Sequence, residues 1–420
     1  EMSYMEALAS ASLTWAALPA ISAVPFSLEL GVPYVDAFFE CVSGFTGTGL
    51  TVLIGLERLK PSLLFWRALM QWVGELGFVV IAMVLLPFFY EFGALVYGIE
   101  RPVRIEASLY KTSRRLFEMY FLLTVAGALA LYYAGMGLFD AVVHSMTGIA
   151  TGGMSNYDAN YDAIYRSAPL TALPLAIIMV LGGTNFLVLD RLLRGELGEV
   201  ARNEEYRLYL ALLLFFSSAS AVLVAASHPG GFLQGAASGA FNAISALTTT
   251  GFSIGSIAQL PYSVKLLLVV AMLIGGMSFS TVGGVKVVRL LLLLKKLKAL
   301  AVGLVTAGRF RPVIRLGEGV VEESEVASAL LIVVIHVFTV LLGAMLIKSM
   351  LPGVDFADAL FESASAASCV GLSAGITSPT APLGVKVVLI VEMLLGRLEY
   401  LQLLALFGAV AGRRAIKVLK

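Results

Sequence analysis

Long apolar segments and shorter segments of mixed polarity alternate along this chain. The apolar segments are each near the ~20 residues that a membrane-spanning helix needs, and they come in pairs. The leading segments of the four pairs cover residues 5–26, 116–134, 207–227 and 325–350. The trailing segments cover residues 62–89, 169–190, 262–294 and 383–411. We therefore predict eight spans arranged as four units.

The segments between paired spans share a pattern that ends in a glycine and one apolar residue. They are TGTGL (46–50), ATGGM (150–154), TTTGF (248–252) and SCVGL (368–372), which we call the glycine segments. Their defining glycines are Gly49, Gly153, Gly251 and Gly371, at intervals of 104, 98 and 120 residues. Four copies at such spacing indicate an internal repeat. We divide the chain into units 1–90, 91–200, 201–300 and 301–420.

The match between the four units extends upstream of each glycine without a gap. Thirteen residues before it stand good helix N-caps, namely Asp36, Asp140, Ser238 and Asp358. Nine residues before it stand Glu40, His144, Asn242 and Glu362. Six residues before it stand Ser43, Thr147, Ser245 and Ser365. These positions predict a capped half-length helix that leads into each glycine segment.

Two of these upstream sets have candidate roles. We expect the three acidic caps, Asp36, Asp140 and Asp358, to lie near the outer surface and to add negative charge there. For the polar set nine residues before the glycine, we favour hydrogen bonds that hold the loops in shape, with cation or proton binding as the alternative.

The composition places the chain in a membrane. Hydrophobic residues make up 59% and charged residues 14%, and the mean hydropathy is +0.91, whereas soluble proteins carry about 25% charged residues. A net charge of +1 gives no reason to expect a nucleic-acid partner. The linkers between units and the C-terminal tail hold 20 of the 29 lysines and arginines. The positive-inside rule therefore predicts cytoplasmic linkers and a cytoplasmic C-terminus.

The glycine segments indicate a path for a cation. Non-helical backbone at membrane depth is tolerated only where it lines a cavity or is buried in protein, and a ring of backbone carbonyls replaces the water shell of a cation. The predicted ion-binding residues are Thr46, Gly47, Thr48, Gly49, Ala150, Thr151, Gly152, Gly153, Thr248, Thr249, Thr250, Gly251, Ser368, Cys369, Val370 and Gly371. The alternative is tight helix packing through small residues.

The third trailing span contains the run IGGMSFSTVGGVK (274–286), which we expect to interrupt the helix near mid-membrane. A broken segment below a ring of carbonyls is a candidate gate, and a kinked, glycine-packed helix is the alternative. The predicted gating residues in this run are Gly275, Gly276, Ser278, Ser280, Thr281, Gly283, Gly284 and Lys286.

Arg397 completes the predicted gating set. Charges inside spans are costly and need partners. Arg397 lies in the fourth trailing span, and we weigh two roles for it. It forms either an electrostatic barrier beneath the ring or a buried ion pair with Glu75 or a helix neighbour. His336 lies alone in an apolar span, which favours a packing role.

Together these residues resemble the Trk/Ktr/HKT superfamily of potassium transporters, and the prokaryotic TrkH type most closely. The resemblance covers essentially the whole chain and rests on residues 34–50, 241–252, 275–291, 360–372 and 393–407. It implies an all-α integral membrane protein in which four M1–pore loop–M2 repeats, with eight spans and four re-entrant pore helices, surround a pseudo-fourfold central pore. Arg397 corresponds to an arginine of the closing helix of this superfamily.

The resemblance also implies the ion and the partners. In the superfamily a glycine at the filter position of all four units goes with potassium, and a serine in the first unit goes with sodium preference. This chain has glycine in all four units. The implied ligand is K⁺, with no covalent cofactor. The implied assembly is a homodimer in the cell membrane of a prokaryote that binds a separate cytoplasmic nucleotide-binding (TrkA-type) subunit. Linker 295–323 is a candidate docking surface for that subunit, and a solvated or lipid-surface segment is the alternative.

Three departures qualify the resemblance. Glu75 occupies a position in WVGELG where the superfamily pattern is often glycine. The second and fourth glycine segments lack the triple threonine of the third, which predicts a less symmetric ion site and modest discrimination against sodium. Two further spans usually precede the first unit in the TrkH type, and this sequence starts too late to hold them.

Two other transport functions remain open. One is a Na⁺-permeable or cation-coupled symporter of the same superfamily, and the other is the ion-conducting subunit of a K⁺ pump. An enzyme is disfavoured because the sequence contains no HExxH or Walker A motif.

Overall fold

The structure is a computed structural model that describes residues 4–85, 109–226, 231–306, 313–317, 319–398 and 400. The described part is helical apart from connecting loops and one small hairpin, in which β1 (Arg315–Leu316) pairs antiparallel with β2 (Gly319–Val320). Most of the predicted first linker, the end of the fourth trailing span and the C-terminal tail lie outside the described residues.

Each unit begins with a long helix and a short helix. The first unit contains α1 (Tyr4–Leu30), α2 (Tyr34–Phe45) and α3 (Pro61–Leu85). The second contains α4 (Leu109–Tyr133), α5 (Leu138–Ile149), α6 (Asp162–Ser167), α7 (Ala172–Gly182), α8 (Phe186–Leu193) and α9 (Leu197–Arg202). The third contains α10 (Glu204–Ala225), α11 (Phe232–Leu247), α12 (Tyr262–Ile274) and α13 (Val287–Val305). The fourth contains α14 (Glu323–Met350), α15 (Phe356–Ala367) and α16 (Leu383–Arg397).

Among the described residues, four helices are long and apolar enough to cross a membrane. They contain the windows Leu13–Leu30, Ser113–Tyr133, Glu204–Ala225 and Glu323–Met350, which coincide with the four predicted leading spans. Only 22% to 33% of each window is buried inside the protein. Large apolar side chains such as Leu214 are exposed instead, as expected for helices that face lipid. The chain is therefore an all-α membrane protein.

The second trailing span differs from the continuous helix predicted over 169–190. Helices α7 and α8 meet at an angle of 116°. The break is stabilised because the side chain of Asn185 accepts a hydrogen bond of 2.8 Å from the backbone N–H of Leu187 and so caps α8. At the neighbouring Gly183, an added Cβ would lie 2.5 Å from the hydroxyl of Tyr209, so the bend has no room for a side chain.

The break predicted in the third trailing span is present. Helix α12 ends at Ile274, and α13 begins at Val287. The two breaks pack against each other, because the N–H of Met277 donates to the carbonyl of Gly183 at 3.0 Å and the N–H of Phe186 donates to that of Phe279 at 2.9 Å.

The four units pack in a closed cycle. Within each unit the long leading helix packs on its own short helix: α1 on α2, α4 on α5, α10 on α11 and α14 on α15. Each trailing helix then packs on the short helix of the next unit: α3 on α5, α7 on α11, α12 on α15 and α16 on α2. This cycle brings the C-terminal ends of the four short helices, and therefore the four glycine segments, to the centre of the protein.

Candidate functional site

The four glycine segments share one backbone conformation. Their second residues Gly47, Thr151, Thr249 and Cys369 have φ angles of 68°, 47°, 51° and 52°. Their glycines Gly49, Gly153, Gly251 and Gly371 have φ angles of 85°, 68°, 94° and 94°. Left-handed backbone is uncommon for residues other than glycine. Its recurrence at two threonines and a cysteine shows that the surroundings hold all four segments in the same shape.

The hydroxyl residues six positions before each glycine supply part of that constraint. In every unit the residue before the glycine donates its N–H to the carbonyl of the hydroxyl residue: Thr48 to Ser43 at 2.9 Å, and Gly152 to Thr147, Thr250 to Ser245 and Val370 to Ser365 at 2.8 Å. In the third and fourth units the serine Oγ also accepts from the N–H of the glycine itself, at 3.0 Å.

The four glycines form a closed ring with carbonyls of their neighbours. A Cβ built on each glycine would overlap the carbonyl oxygen of a residue in the next unit: Gly49 meets Gly152, Gly153 meets Thr250, Gly251 meets Val370 and Gly371 meets Thr48. The fourth unit thereby closes onto the first. Glycine is required at these positions, because any side chain would collide with backbone and the φ angles are positive.

Threonine hydroxyls brace the first and third glycine segments in the same way. Oγ1 of Thr46 lies 2.8 Å from Oγ1 of Thr48, and Oγ1 of Thr248 lies 2.8 Å from that of Thr250. The second and fourth segments lack these pairs because they carry Ala150 with Gly152 and Ser368 with Val370. The ring is therefore closed but chemically uneven.

The polar residues nine positions before each glycine hold the chain that follows each glycine segment, in line with the predicted role in loop shape. Glu40, Asn242 and Glu362 each accept a hydrogen bond from the backbone N–H twelve residues later, on Val52, Ile254 and Ala374 respectively. His144 instead contacts the carbonyl of Asp140 at 2.8 Å and the hydroxyl of Ser155 at 3.0 Å. All four side chains are buried.

The predicted N-caps are wrong by a few residues. The N-cap positions of the short helices are Pro33, Gly137, Gly231 and Asp355. Asp36, Asp140 and Asp358 lie inside the first turn, where a carboxylate still interacts favourably with the helix dipole. Ser238 lies further inside α11 and donates to the carbonyl of Gly235 at 3.1 Å.

The negative charge expected from these acids is largely neutralised. Asp36 pairs with Lys386 of the fourth unit at 2.6 Å, and Asp358 pairs with Lys265 of the third unit at 2.6 Å. Asp140 accepts hydrogen bonds of 2.7 Å from Asn156 and Tyr157. Burial, together with this bond, raises the pKa of Tyr157 to about 12, so the phenol stays protonated and donates. The two lysine pairs therefore join neighbouring units rather than leaving a ring of free acids.

The non-helical residues 275–286, which we call the interrupted segment, contact three of the four glycine segments. Oγ1 of Thr281 lies 2.9 Å from Oγ1 of Thr151 in the second. The N–H of Gly283 donates to Oγ1 of Thr249 in the third at 3.0 Å. A Cβ on Gly283 would overlap the carbonyl oxygen of Ser368 in the fourth.

The remaining predicted gating residues hold the interrupted segment in place. Ser278 donates from its N–H and its hydroxyl to the carboxylate of Glu205, at 2.6 and 2.9 Å. The hydroxyl of Ser280 donates to the carbonyl of Met277 at 2.6 Å. The N–H of Lys286 donates to the carbonyl of Ile274 at 2.8 Å. Gly275, Gly276 and Gly284 occupy sites where a Cβ would lie within 3.0 Å of backbone or side-chain atoms.

The first glycine segment is contacted by an ion pair rather than by the interrupted segment. Nη1 of Arg397 lies 2.7 Å from both carboxylate oxygens of Glu75, and a Cβ on Gly47 would overlap the carboxylate of Glu75. Of the two roles weighed for Arg397, the structure contains the ion pair.

Several polar residues of this site were not predicted. Gln71 is fully buried and contacts the second glycine segment. Arg67 is buried, pairs with Glu40 and donates to the carbonyl of Ser155 at 2.8 Å. His336 was assigned to packing, but its ring contacts the hydroxyls of Ser368 and Tyr400 at 3.0 Å. Each is a polar residue in an apolar span, and that pattern was the available signal.

Known proteins resemble this chain over most of its length. The model of the TrkH family, described as "Cation transport protein", matches residues 3–411. The Trk system potassium uptake protein TrkH of Escherichia coli K12 is 37% identical over 294 residues, which cover 68% of this chain and 60% of that protein. The TrkH protein of Halomonas elongata is 32% identical over 410 residues, covering 94% of this chain and 84% of that protein.

The fold is also similar to a solved structure. The crystal structure of the potassium transporter TrkH from Vibrio parahaemolyticus superimposes with a TM-score of 0.82 at 28% sequence identity, covering 97% of this chain and 85% of that chain.

Proposed function

Because the chain belongs to the TrkH family of cation transport proteins, we propose that it is a potassium uptake channel or transporter of a prokaryotic cell membrane. Relatives with 37% and 32% identity are named Trk system potassium uptake proteins. The fold and the family both favour ion transport over enzymatic chemistry.

The observation that carries this proposal is the closed ring of four glycines and four carbonyls. Carbonyl oxygens replace the water shell of a cation that sheds it on entering a pore. Each short helix ends where its glycine segment begins, so its partly negative C-terminal end adds to the attraction for a cation. We assign residues 46–49, 150–153, 248–251 and 368–371, the first four residues of each glycine segment, to the selectivity filter, and we call them the first to fourth filter segments.

The proposed membrane arrangement follows the repeat. Each unit contributes a leading span, a re-entrant short helix with its filter residues, and a trailing span, which makes eight spans around a pseudo-fourfold pore. The excess of lysine and arginine in the linkers favours their cytoplasmic placement. The filter then opens to the outside.

We propose that the interrupted segment is the gate. It contacts the second, third and fourth filter segments, and the Arg397–Glu75 pair contacts the first. A cation that leaves the ring on this side meets the interrupted segment, so conduction requires it to move. The glycines that give the segment its turns also lower the cost of changing its backbone angles.

We propose a homodimer and a separate cytoplasmic nucleotide-binding subunit as partners. Linker 295–323 remains the proposed docking surface for that subunit. Lys295 pairs with Glu204, and Lys296 pairs with Glu323 at 2.6 Å. Leu297, Leu300 and Leu304 on the same helix are exposed. The docking chemistry at α13 is therefore more apolar than its basic sequence indicates.

The test is cation flux in liposomes that contain the purified protein, with K⁺, Rb⁺, Na⁺ and Li⁺ compared under matched gradients. We expect K⁺ and Rb⁺ to pass at similar rates and faster than Na⁺ and Li⁺. A preference for Na⁺ would support the sodium-permeable alternative and point to the two uneven filter segments. Flux that requires a Na⁺ or H⁺ gradient would support a symporter.

A further inference from the structure

Gln71 joins the first unit to the second filter segment. Its Nε2 donates to the carbonyl oxygen of Gly152 at 2.6 Å, and its Oε1 accepts from the N–H of Met154 at 3.0 Å. The side chain is fully buried. One carboxamide from α3 therefore holds the backbone on both sides of Gly153 in place.

The Gln71 side chain can occupy its position only because residue 152 is a glycine. A Cβ added to Gly152 would overlap the carboxamide of Gln71. The equivalent residues of the other three segments are Thr48, Thr250 and Val370, all of which carry side chains. Since the four segments share one backbone conformation, the Gln71 carboxamide occupies the space that a side chain of the segment itself fills in the other units.

The bond to Gly152 also changes the electrostatics of the ring. The carbonyl of Gly152 is one of the four that pack against the glycines of neighbouring units. A carbonyl oxygen has two lone pairs, and the amide of Gln71 occupies one of them with a partly positive N–H group. That carbonyl is therefore held in a fixed direction, and its attraction for a cation is reduced.

We propose that Gln71 is a specificity-determining residue that positions the second filter segment and weakens the cation site on that side of the ring. The proposal rests on the proposed function of the ring as a potassium filter. It assigns to α3 a role in ion selection, in addition to its place in the trailing span.

The test measures relative K⁺ and Na⁺ flux in liposomes for Gln71→Met, which keeps the length of the side chain but removes both hydrogen bonds. We expect the K⁺/Na⁺ flux ratio to change about three- to tenfold, the range that corresponds to one net hydrogen bond. The matched control is Gln259→Met, at an exposed glutamine in the loop before α12, which should leave the ratio unchanged.

A double-mutant cycle separates selection from simple packing. Gly152→Thr alone should disrupt the ring because it collides with Gln71. In the Gln71→Ala background the threonine has room, so Gln71→Ala/Gly152→Thr should recover folded, conducting protein. Its flux ratio should stay altered, because the threonine does not replace the hydrogen bond to the Gly152 carbonyl. A wild-type flux ratio in the double variant would show that Gln71 only fills space and would overturn the proposal.

Other outcomes are equally decisive. If Gln71→Met does not give monodisperse protein, the K⁺/Na⁺ flux ratio is measured for Gln71→Glu instead. That variant keeps the size of the side chain and the acceptor for the N–H of Met154. If neither variant folds and the double variant does not rescue folding, Gln71 has only a structural role and the proposal fails. A wild-type protein that passes no cation selectively contradicts the proposed function itself. A selective wild type with unaltered Gln71 variants contradicts only this inference.

Discussion

Arg397 and Glu75 form an ion pair in which Nη1 of the arginine lies 2.7 Å from both carboxylate oxygens of the glutamate. Nη2 of Arg397 also donates to the carbonyl of Gly74 at 3.0 Å. The pair joins α16 of the fourth unit to α3 of the first, and the side chains are 16% and 3% exposed. It therefore closes the cycle of units directly beside the first filter segment.

This pairing changes the electrostatic role expected of Arg397. An unpaired guanidinium near the ring would repel a permeating cation, whereas a paired one contributes little net charge. The glutamate at position 75, where the superfamily pattern is often glycine, supplies the compensating charge. The height of any barrier at this point thus depends on both residues together.

Replacing the arginine should raise cation flux. Arg397→Ala leaves the Glu75 carboxylate beside Gly47 without its partner, so the local potential becomes more attractive to K⁺. We expect K⁺ flux in liposomes to increase several-fold. Flux that is unchanged or lower, in protein that elutes as a single species, would show that the pair is purely structural.

Replacing the glutamate should have the opposite effect on flux. Glu75→Gln keeps the shape of the side chain but leaves the charge of Arg397 uncompensated next to the ring, so K⁺ flux should fall. Removing one partner of a buried pair also costs about 3–5 kcal/mol, which a lower melting temperature would report. Glu75→Gln/Arg397→Met should recover much of that loss. Equal flux in Glu75→Gln and wild type would exclude a barrier at this point.

The repeat was predictable from the sequence because each unit repeats the same short helix and the same glycine at fixed spacing. The four leading spans were also predictable, because each is an apolar run of about 20 residues or more, which is the length that a membrane-spanning helix needs. The shared hydroxyl and polar positions also have a common physical role, which is to hold one strained backbone shape four times.

Features that depend on contacts between units were not predictable. The pairing of Asp36 with Lys386 requires knowing that the fourth unit meets the first. The bend between α7 and α8 is held by contacts with the interrupted segment. Gly182 and Gly183 are a local sequence feature at the bend, but two glycines alone do not predict a break in a helix. The role of Gln71 could not be predicted, because its partner is a backbone carbonyl in another unit.

A side chain at the first filter glycine should reduce selectivity. In Gly49→Ser the new Cβ collides with the carbonyl of Gly152, and the residue keeps a φ of 85°, so the ring must deform. We expect the K⁺/Na⁺ flux ratio to fall and the preference to shift toward Na⁺. Gly353→Ser, at a glycine with no atom within 4 Å of an added Cβ, is the control. An unaltered ratio in Gly49→Ser would contradict the assigned filter.

Displacing the interrupted segment should open the proposed gate. In Gly283→Ala the added methyl collides with the carbonyl of Ser368, which pushes the segment away from the fourth filter segment. We expect higher K⁺ flux without added partners and little change in the K⁺/Na⁺ ratio. The matched change Gly198→Ala, on α9 with open space around it, should leave flux unaltered. A loss of selectivity together with higher flux would indicate damage to the filter rather than movement of a gate.

The ion pairs between units should contribute to stability in proportion to their burial. Asp36 and Lys386 are 11% and 8% exposed at the side chain, so Asp36→Asn leaves a buried ammonium without its counter-ion and should cost about 3–5 kcal/mol. Asp36→Asn/Lys386→Met removes both charges and should restore most of the loss.

The comparison pair is Lys60 with Glu29, whose side chains are 69% and 44% exposed. Its disruption by Glu29→Gln should change stability by no more than about 1 kcal/mol. Thermal unfolding in detergent measures all three variants against wild type. Equal losses at the buried and the exposed pair would mean that the contact between the fourth and first units is not held by charge.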